Sequence, residues 1–422
     1  MRHLILFISC VALSLSAHGA EEQGEAVDGQ ALVTALWQSA AEPGTAAAEP
    51  GTAATELLAA AADVAELYQW LKAGPVYSAD APTGEVVRTR VAEDGTEYPY
   101  MVYVPESYDP GQKHAVEFIL HGGVNRPKPG SGENFWERSL ERVGSRDRIT
   151  VIPLAWPEHF WWHQRQAENL PAILEELKRS YNIDEDRVSL TGISDGGTGA
   201  YFFAFKQPTE WAAFLPYIGH PGVLRNPQSG GGYRLYFENL AGKPLFIVNG
   251  ENDRLYPAAS LESFMEILEQ ENIPHTWRVI AEGGHNTNWM PEERDRIEQF
   301  KLANPRDPLP EAVQWVVDRT DRYNRNHWVR VDATAEANTP SLLKVDRDGN
   351  LISVDARGVS EFTLLLNPEE IDFNSPVIVN INGRESFNAL VEQSSETLLK
   401  WAQEDLDRSM LFTAELNLSV GN

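Results

Sequence analysis

One serine lies in a setting that suits nucleophilic catalysis. Ser194 is the central residue of Gly192–Gly196, a Gly-x-Ser-x-Gly pattern between the apolar run RVSLTG and the bulky run AYFFAF. A nucleophilic serine on a sharp strand-to-helix turn needs small residues two positions before and after it, because larger side chains would collide there. A structural glycine turn that contains an idle serine is the alternative. The pattern favours Ser194 as a catalytic nucleophile.

Two later loops carry an acid and a base in the order that such an enzyme needs. The apolar run KPLFIVNG ends in a loop with Asp253, and TWRVIAEGG ends at His285. The acid holds the imidazole in the right tautomer, and the imidazole takes the serine proton. Glu251 competes for the role of the acid, but we prefer Asp253, because the chain turns into the next helix directly after it.

The tetrahedral intermediate of such a reaction needs two backbone N–H donors for its oxyanion. One is predicted at Asp195, directly after the nucleophile and at the positive end of the following helix. The other is predicted at Gly123 in LHGGVNRP, where two glycines after a buried strand let the backbone turn in closely. An ordinary strand-ending glycine turn is the alternative there.

These motifs together resemble the α/β-hydrolase superfamily, and NIDEDRVSLTGISDGG is similar to the way its exported esterases introduce their nucleophile. Within it the sequence looks like the polyhydroxybutyrate depolymerase and feruloyl/acetyl-xylan esterase group. The resemblance covers about half of the chain and implies hydrolysis of a carboxylic ester, without a cofactor. The sequence departs from the group in having no cysteine pairs in this region and no third glycine in the His-Gly-Gly-Val loop.

The elements that must position these residues are a mostly parallel sheet and its helices. Strand-like and helical runs alternate over 86–325, which indicates an α/β domain with helices on both faces of the sheet. Closely spaced short strands over 326–422 predict a C-terminal β-sandwich. Residues 21–85 are predicted as an alanine- and glutamate-rich lead-in, with a tandem AEPGTAA duplication and one helix from a Thr55 cap to Gly74.

The amino terminus and the charge set expectations about location and partners. Residues 1–20 read as a secretory signal peptide, so we expect export to the periplasm or the medium. The only cysteine, Cys10, lies inside this segment, with a lipid anchor as the alternative, so disulfides and thiol catalysis are not expected. No stable membrane insertion is expected after cleavage. The formal net charge of −27 disfavours nucleic acid as a partner.

Aromatic residues after one predicted strand suggest a substrate wall. Trp161 and Trp162 would line the mouth of the site and stack on a sugar or aromatic acyl group, with ordinary packing as the alternative. His220 could line the same pocket or be structural. His159 and His163 are four residues apart, but no third ligand is in view, so no metal site is predicted.

Two rival functions stay open at this stage. A serine peptidase of the prolyl-oligopeptidase type has the same catalytic parts, but it usually carries a large β-propeller that the residues before the hydrolase domain cannot build. A binding protein on a catalytically inactive hydrolase shell is the other. The sequence best fits an exported serine esterase acting on a small or polymeric ester, with a polysaccharide-linked ester as one option.

Overall fold

The computed structural model describes residues 28–39, 51–128 and 135–421. The predicted signal peptide and most of the AEPGTAA duplication lie outside these residues. None of the described helices is both long enough and apolar enough to span a bilayer.

Within the described residues, three helices precede the sheet, where the sequence predicted one: α1 Gly29–Gln38, α2 Thr52–Ala60 and α3 Val64–Ala73. The prediction of one helix from Thr55 is corrected, because Asp63 interrupts it and caps α3 by accepting a hydrogen bond from the Glu66 N–H. Gly74 ends α3 as predicted, at a φ of 79°. These helices bury an apolar cluster against the C-terminal region.

A sheet of eight strands forms the centre of the molecule. Its strands are β1 Gly84–Val91, β2 Glu97–Val104, β3 His114–Leu120, β4 Ile149–Pro153, β5 Ile183–Ile193, β6 Ala213–Tyr217, β7 Leu245–Gly250 and β8 His275–Ile280. The spatial order is β1-β2-β4-β3-β5-β6-β7-β8; β2 pairs antiparallel with both neighbours, and the strands from β4 to β8 run parallel.

Helices cover both faces of this sheet, which explains why its central strands are continuous apolar runs. The helices are α4 Phe135–Val143, α5 Gln164–Ser180, α6 Asp195–Lys206, α7 Glu262–Gln270 and α8 Met290–Ala303. Two separate apolar clusters, one on each face, contain residues from neighbouring strands and from these helices. The α/β-hydrolase fold expected from the sequence is confirmed.

The C-terminal region forms two further sheets around a shared core. Its elements are β9 Ala312–Val317, β10 Arg325–Asn326, β11 Val329–Thr334, β12 Ser341–Asp348, β13 Leu351–Arg357, β14 Val359–Leu366, β15 Val377–Ile381, β16 Arg384–Ala389, α9 Ser395–Asp405 and β17 Ala414–Ser419. One sheet has the order β10-β11-β14-β17 and the other β16-β15-β13-β12-β9. Because β9 pairs with β12, the sandwich begins before the boundary predicted at residue 326, which is corrected here.

Buried ion pairs join the hydrolase sheet to the sandwich. Arg306, after α8, contacts Asp186 at 2.7 Å and Asp407 at 2.8 Å. Arg408 contacts Glu185 at 2.5 Å, and both side chains are almost fully buried. Removing one member of such a pair would leave a buried charge without compensation, so these contacts fix the two regions against each other.

Candidate active site

Ser194 lies on a strained turn between β5 and α6. Its φ of 56° and ψ of −115° are unusual for a residue with a side chain, and they are imposed by the chain crossing closely over itself. A Cβ added to Gly192 would lie 1.9 Å from the Gly196 oxygen, and one added to Gly196 would lie 1.9 Å from the Leu120 oxygen. The two glycines therefore have the steric role that the sequence pattern predicted.

The structure brings the three predicted side chains into one hydrogen-bonded chain. His285 Nε2 lies 2.8 Å from Ser194 Oγ, and His285 Nδ1 lies 2.8 Å from Asp253 Oδ2. With the carboxylate ionised, Nδ1 carries the ring proton and donates a hydrogen bond to Asp253, which leaves Nε2 free to accept the serine proton. The His285 side chain is 24% exposed and that of Asp253 is fully buried, so the reacting end of this chain faces solvent.

The structure distinguishes between the two acids that the sequence offered. Asp253 follows β7, and its second oxygen, Oδ1, accepts hydrogen bonds from the backbone N–H groups of Leu255 at 2.8 Å and Tyr256 at 3.0 Å. Glu251 instead accepts from the Glu282 N–H at 2.9 Å. Asp253 is therefore the carboxylate that faces His285, and hydrogen bonds to both of its oxygens fix its orientation.

The two residues predicted as oxyanion donors lie in segments that adjoin the serine. Asp195 begins α6, and the first N–H groups of an α-helix have no acceptor within the helix. The loop after β3 lies against Ser194 so closely that a Cβ on Gly122 would be 2.8 Å from the serine Cβ. The next residue, Gly123, has a φ of 70°, a conformation that turns this loop and that favours glycine.

Two side chains, those of His121 and Asp195, hold this loop. Sequence reasoning gave His121 no role and assigned Asp195 only for its backbone N–H. His121 accepts from the Ala155 N–H at 3.0 Å through Nε2, while Nδ1 donates to the Gly122 oxygen at 2.9 Å. One accepting and one donating ring nitrogen fit a neutral imidazole, and burial lowers the pKa of His121 in the direction that favours this form. The Asp195 carboxylate accepts from the Val124 N–H at 3.0 Å and so ties the loop to α6.

Trp161 and Trp162 do not form the expected aromatic wall, and this expectation is corrected. They are 0% and 2% exposed, with their faces packed in the core. The Trp161 Nε1–H donates to the His121 oxygen at 2.8 Å, and that of Trp162 donates to the Ser229 oxygen at 2.9 Å. Both rings therefore brace loops around the site instead of presenting a surface to a ligand.

His220 lies near the site, but in this structure both of its ring nitrogens contact backbone groups. Its Nδ1 accepts from the Gly222 N–H at 2.9 Å, and its Nε2 lies 3.2 Å from the Ser260 oxygen. Tyr256 separates it from His285, with the Tyr256 ring centroid 5.9 Å from those of both His220 and His285. Tyr256 was not selected from the sequence; its place directly after the Asp253 turn was the available signal.

Within the described residues, no three histidine, cysteine or carboxylate side chains are grouped as a metal site would need. The fold and the geometry around Ser194 define a class: an α/β-hydrolase-fold protein with its serine, histidine and aspartate arranged as a triad.

No family model matches the chain. The bifunctional acetylxylan esterase/xylanase XynS20E of Neocallimastix patriciarum is 25% identical over 177 residues, which are 41% of this chain and 24% of that protein. The chain thus matches about a quarter of this relative's length. The match confirms the expected resemblance to esterases of this group.

Solved structures also align with about half of the chain. A thermostable esterase is 20% identical, with a TM-score of 0.41 over 53% of this chain and 63% of its own. The CE1 ferulic acid esterase AmCE1/Fae1A of Anaeromyces mucronatus is 17% identical, with a TM-score of 0.41 over 54% and 96%.

Proposed function

We propose that this protein is a serine hydrolase that cleaves carboxylic esters through an acyl-enzyme on Ser194. The observation that carries the proposal is the pair of 2.8 Å contacts that link Ser194 to His285 and His285 to Asp253. The curated acetylxylan esterase relative supports an ester as the substrate.

The proposed reaction begins when Ser194 Oγ attacks the carbonyl carbon of the ester while His285 Nε2 takes the serine proton. Asp253 stabilises the imidazolium that forms but stays ionised itself. His285 then gives the proton to the leaving alcohol, and the C–O bond breaks to leave an acyl group on Ser194. A water molecule, deprotonated by His285, then attacks the acyl carbon. The bond between that carbon and Ser194 Oγ breaks, His285 returns the proton to Oγ, and the carboxylic acid is released.

The negative charge of each tetrahedral intermediate would be held by the backbone N–H groups of Asp195 and Gly123. The close approach of the β3 loop to Ser194 supports this assignment, since donors must surround the carbonyl oxygen beside the nucleophile. His121 and the Asp195 carboxylate would keep these donors in place before the substrate arrives, which avoids a cost of reorganisation during the reaction.

The substrate is proposed to be a small or polysaccharide-linked ester, and the protein is proposed to be exported. Export rests on the apolar segment over 1–20. Sequencing the amino terminus of the mature protein tests it: an intact Met1 after secretion-competent expression would contradict removal of a signal.

Purified protein and Ser194→Ala should be compared on p-nitrophenyl acetate, on an aminoacyl p-nitroanilide and in labelling by a fluorophosphonate probe. We expect ester turnover and labelling in the wild type, and loss of both in the variant, with kcat falling about 10⁶-fold. Ser353→Ala, which changes an exposed serine on β13, is the matched control. Full ester turnover by Ser194→Ala would contradict the proposal, and turnover of the anilide alone would favour a peptidase.

A further inference from the structure

A second polar site lies at the seam between the hydrolase sheet and the sandwich. A cavity of about 130 Å³ there is lined by Lys243, Arg306, Asn326 and His327, among others. Lys243 comes just before β7, at the amino ends of the parallel strands, whereas Ser194 is at their carboxyl ends. The cavity is therefore separate from the proposed active site.

The Lys243 amine is buried without adequate hydrogen-bond partners. The residue is 8% exposed, and its Nζ lies 3.4 Å from His327 Nδ1. That same Nδ1 lies 2.7 Å from Asn326 Oδ1, and it donates a hydrogen bond to this oxygen. A protonated ring nitrogen cannot also accept from an ammonium group, and a lysine ammonium has three N–H donors to satisfy. Within the described ranges, no carboxylate forms an ion pair with Lys243.

Among the cations near this amine, Arg306 and Arg325 already pair with carboxylates, so within the described residues Lys243 is the cation that an anion would meet. The charged groups that act on His327 are the cations Lys243, Arg306 and Arg325, opposed by Asp407. Burial, and secondly Arg306, lowers the pKa of Lys243 to about 7, while Asp307 and Glu210 oppose this shift. An additional negative charge beside Lys243 would thus favour its protonated form.

We propose that this cavity binds a small oxyanion, a carboxylate or a tetrahedral inorganic anion, on the ammonium group of Lys243. An oxyanion offers the acceptors that the buried N–H groups lack, and charge-assisted hydrogen bonds of this kind are strong. The cavity, with a volume of about 130 Å³, has room for a ligand of this size, because one water molecule needs only about 10 to 15 Å³.

A second cavity, lined in part by residues of the hydrolase sheet, differs from the Lys243 site in the pairing of its cations. It also contains cations, but each of them forms an ion pair with a carboxylate: Arg148, Arg187 and Lys301. Cations that are already paired have less to gain from an added anion.

The test is calorimetric titration of the full-length protein with sodium acetate and, separately, sodium sulfate, at pH 6 and pH 8. Both anions keep their charge over this range, so any change in affinity comes from the protein. Because a group with a pKa of about 7 is mostly protonated at pH 6 and mostly neutral at pH 8, we expect binding about tenfold weaker at pH 8. Binding of acetate alone would identify a carboxylate site, and binding of sulfate alone a tetrahedral-anion site.

Lys243→Met should remove this binding while the protein stays folded, since methionine fills similar volume and leaves no buried donor without a partner. Lys344→Met, which removes the same charge from a sandwich strand, should leave binding unchanged. The proposal is overturned if neither anion binds, if Lys243→Met binds as tightly as the wild type, or if affinity does not fall with rising pH. Ester turnover tests Ser194 independently.

Discussion

Asp253→Asn is the substitution whose consequence the structure defines most sharply. Oδ1 of Asp253 faces the N–H groups of Leu255 and Tyr256, so an amide NH₂ group cannot replace it without opposing two donors. The asparagine would therefore keep its oxygen there and turn its NH₂ group toward His285 Nδ1. This forces the other tautomer, in which Nε2 carries a proton and cannot accept the one from Ser194.

We expect kcat on p-nitrophenyl acetate to fall about 10⁴-fold, as wrong-tautomer substitutions do in serine hydrolases of this design. This corresponds to about 5.4 kcal/mol of transition-state stabilisation, at about 1.36 kcal/mol for each factor of ten. KM should change little, because Asp253 is fully buried and does not face the substrate. Initial rates over a range of substrate concentrations give both constants, and circular dichroism checks that the variant is folded.

Glu251→Gln is the matched control, because Glu251 lies two residues away and contacts the Glu282 N–H instead of the imidazole. Its kcat should stay within about tenfold of the wild type. The reasoning is refuted if Asp253→Asn loses less than about tenfold, or if Glu251→Gln loses as much as Asp253→Asn, which would make Glu251 the acid.

Four further predictions concern the turn and loop at the site and the ion pairs between the hydrolase sheet and the sandwich. Asp195→Ala frees the Val124 N–H and loosens the β3 loop, so kcat should fall about 10- to 100-fold with KM nearly constant in steady-state assays. Gly196→Ala places a Cβ 1.9 Å from a backbone oxygen, so little soluble protein should be recovered, as gel filtration would show. Arg306→Met should lower the free energy of unfolding in urea by about 3 to 5 kcal/mol. Burial raises the pKa of the Asp407 carboxyl, but Arg306, Lys178 and Ser409 outweigh this effect and hold that pKa below its usual range. The stability of the wild type should therefore fall as the pH drops below about 4, where the unfolded chain takes up a proton at Asp407. The fall should be smaller in Arg306→Met, because that variant has lost the main partner of the carboxylate.

The features predicted from sequence were those that local rules dictate. The strand before Ser194, the helix after it and the flanking glycines belong to one continuous stretch, so their arrangement follows from short-range sterics. The positions of Asp253 and His285 could also be predicted from sequence, because each follows an apolar strand. Parallel strands end at the same edge of a sheet, so residues that follow them lie near one another.

Other features depend on contacts between distant segments. The run AVQWVV reads as a strand in either domain, and only its pairing with β12 assigns β9 to the sandwich. The hydrogen bond from Val124 to Asp195 joins residues 71 positions apart, so no spacing rule could reveal it. The split between α2 and α3 was a local signal that was missed, since Asp63 is a typical helix cap.

The two tryptophans illustrate how a pattern can suggest a ligand site and yet describe packing. A Cβ on Gly199, in the second turn of α6, would lie 2.6 Å from the Trp161 Cβ. The absence of a side chain at Gly199 therefore allows the ring of Trp161 to pack against α6. The same ring donates to the His121 oxygen, at the start of the loop that carries Gly123. The glycine run after Ser194 therefore does two things: its first residues form the tight turn at the nucleophile, and Gly199 admits the tryptophan that supports the loop opposite. A larger residue at Gly199 would displace Trp161 and, through it, the proposed oxyanion donor.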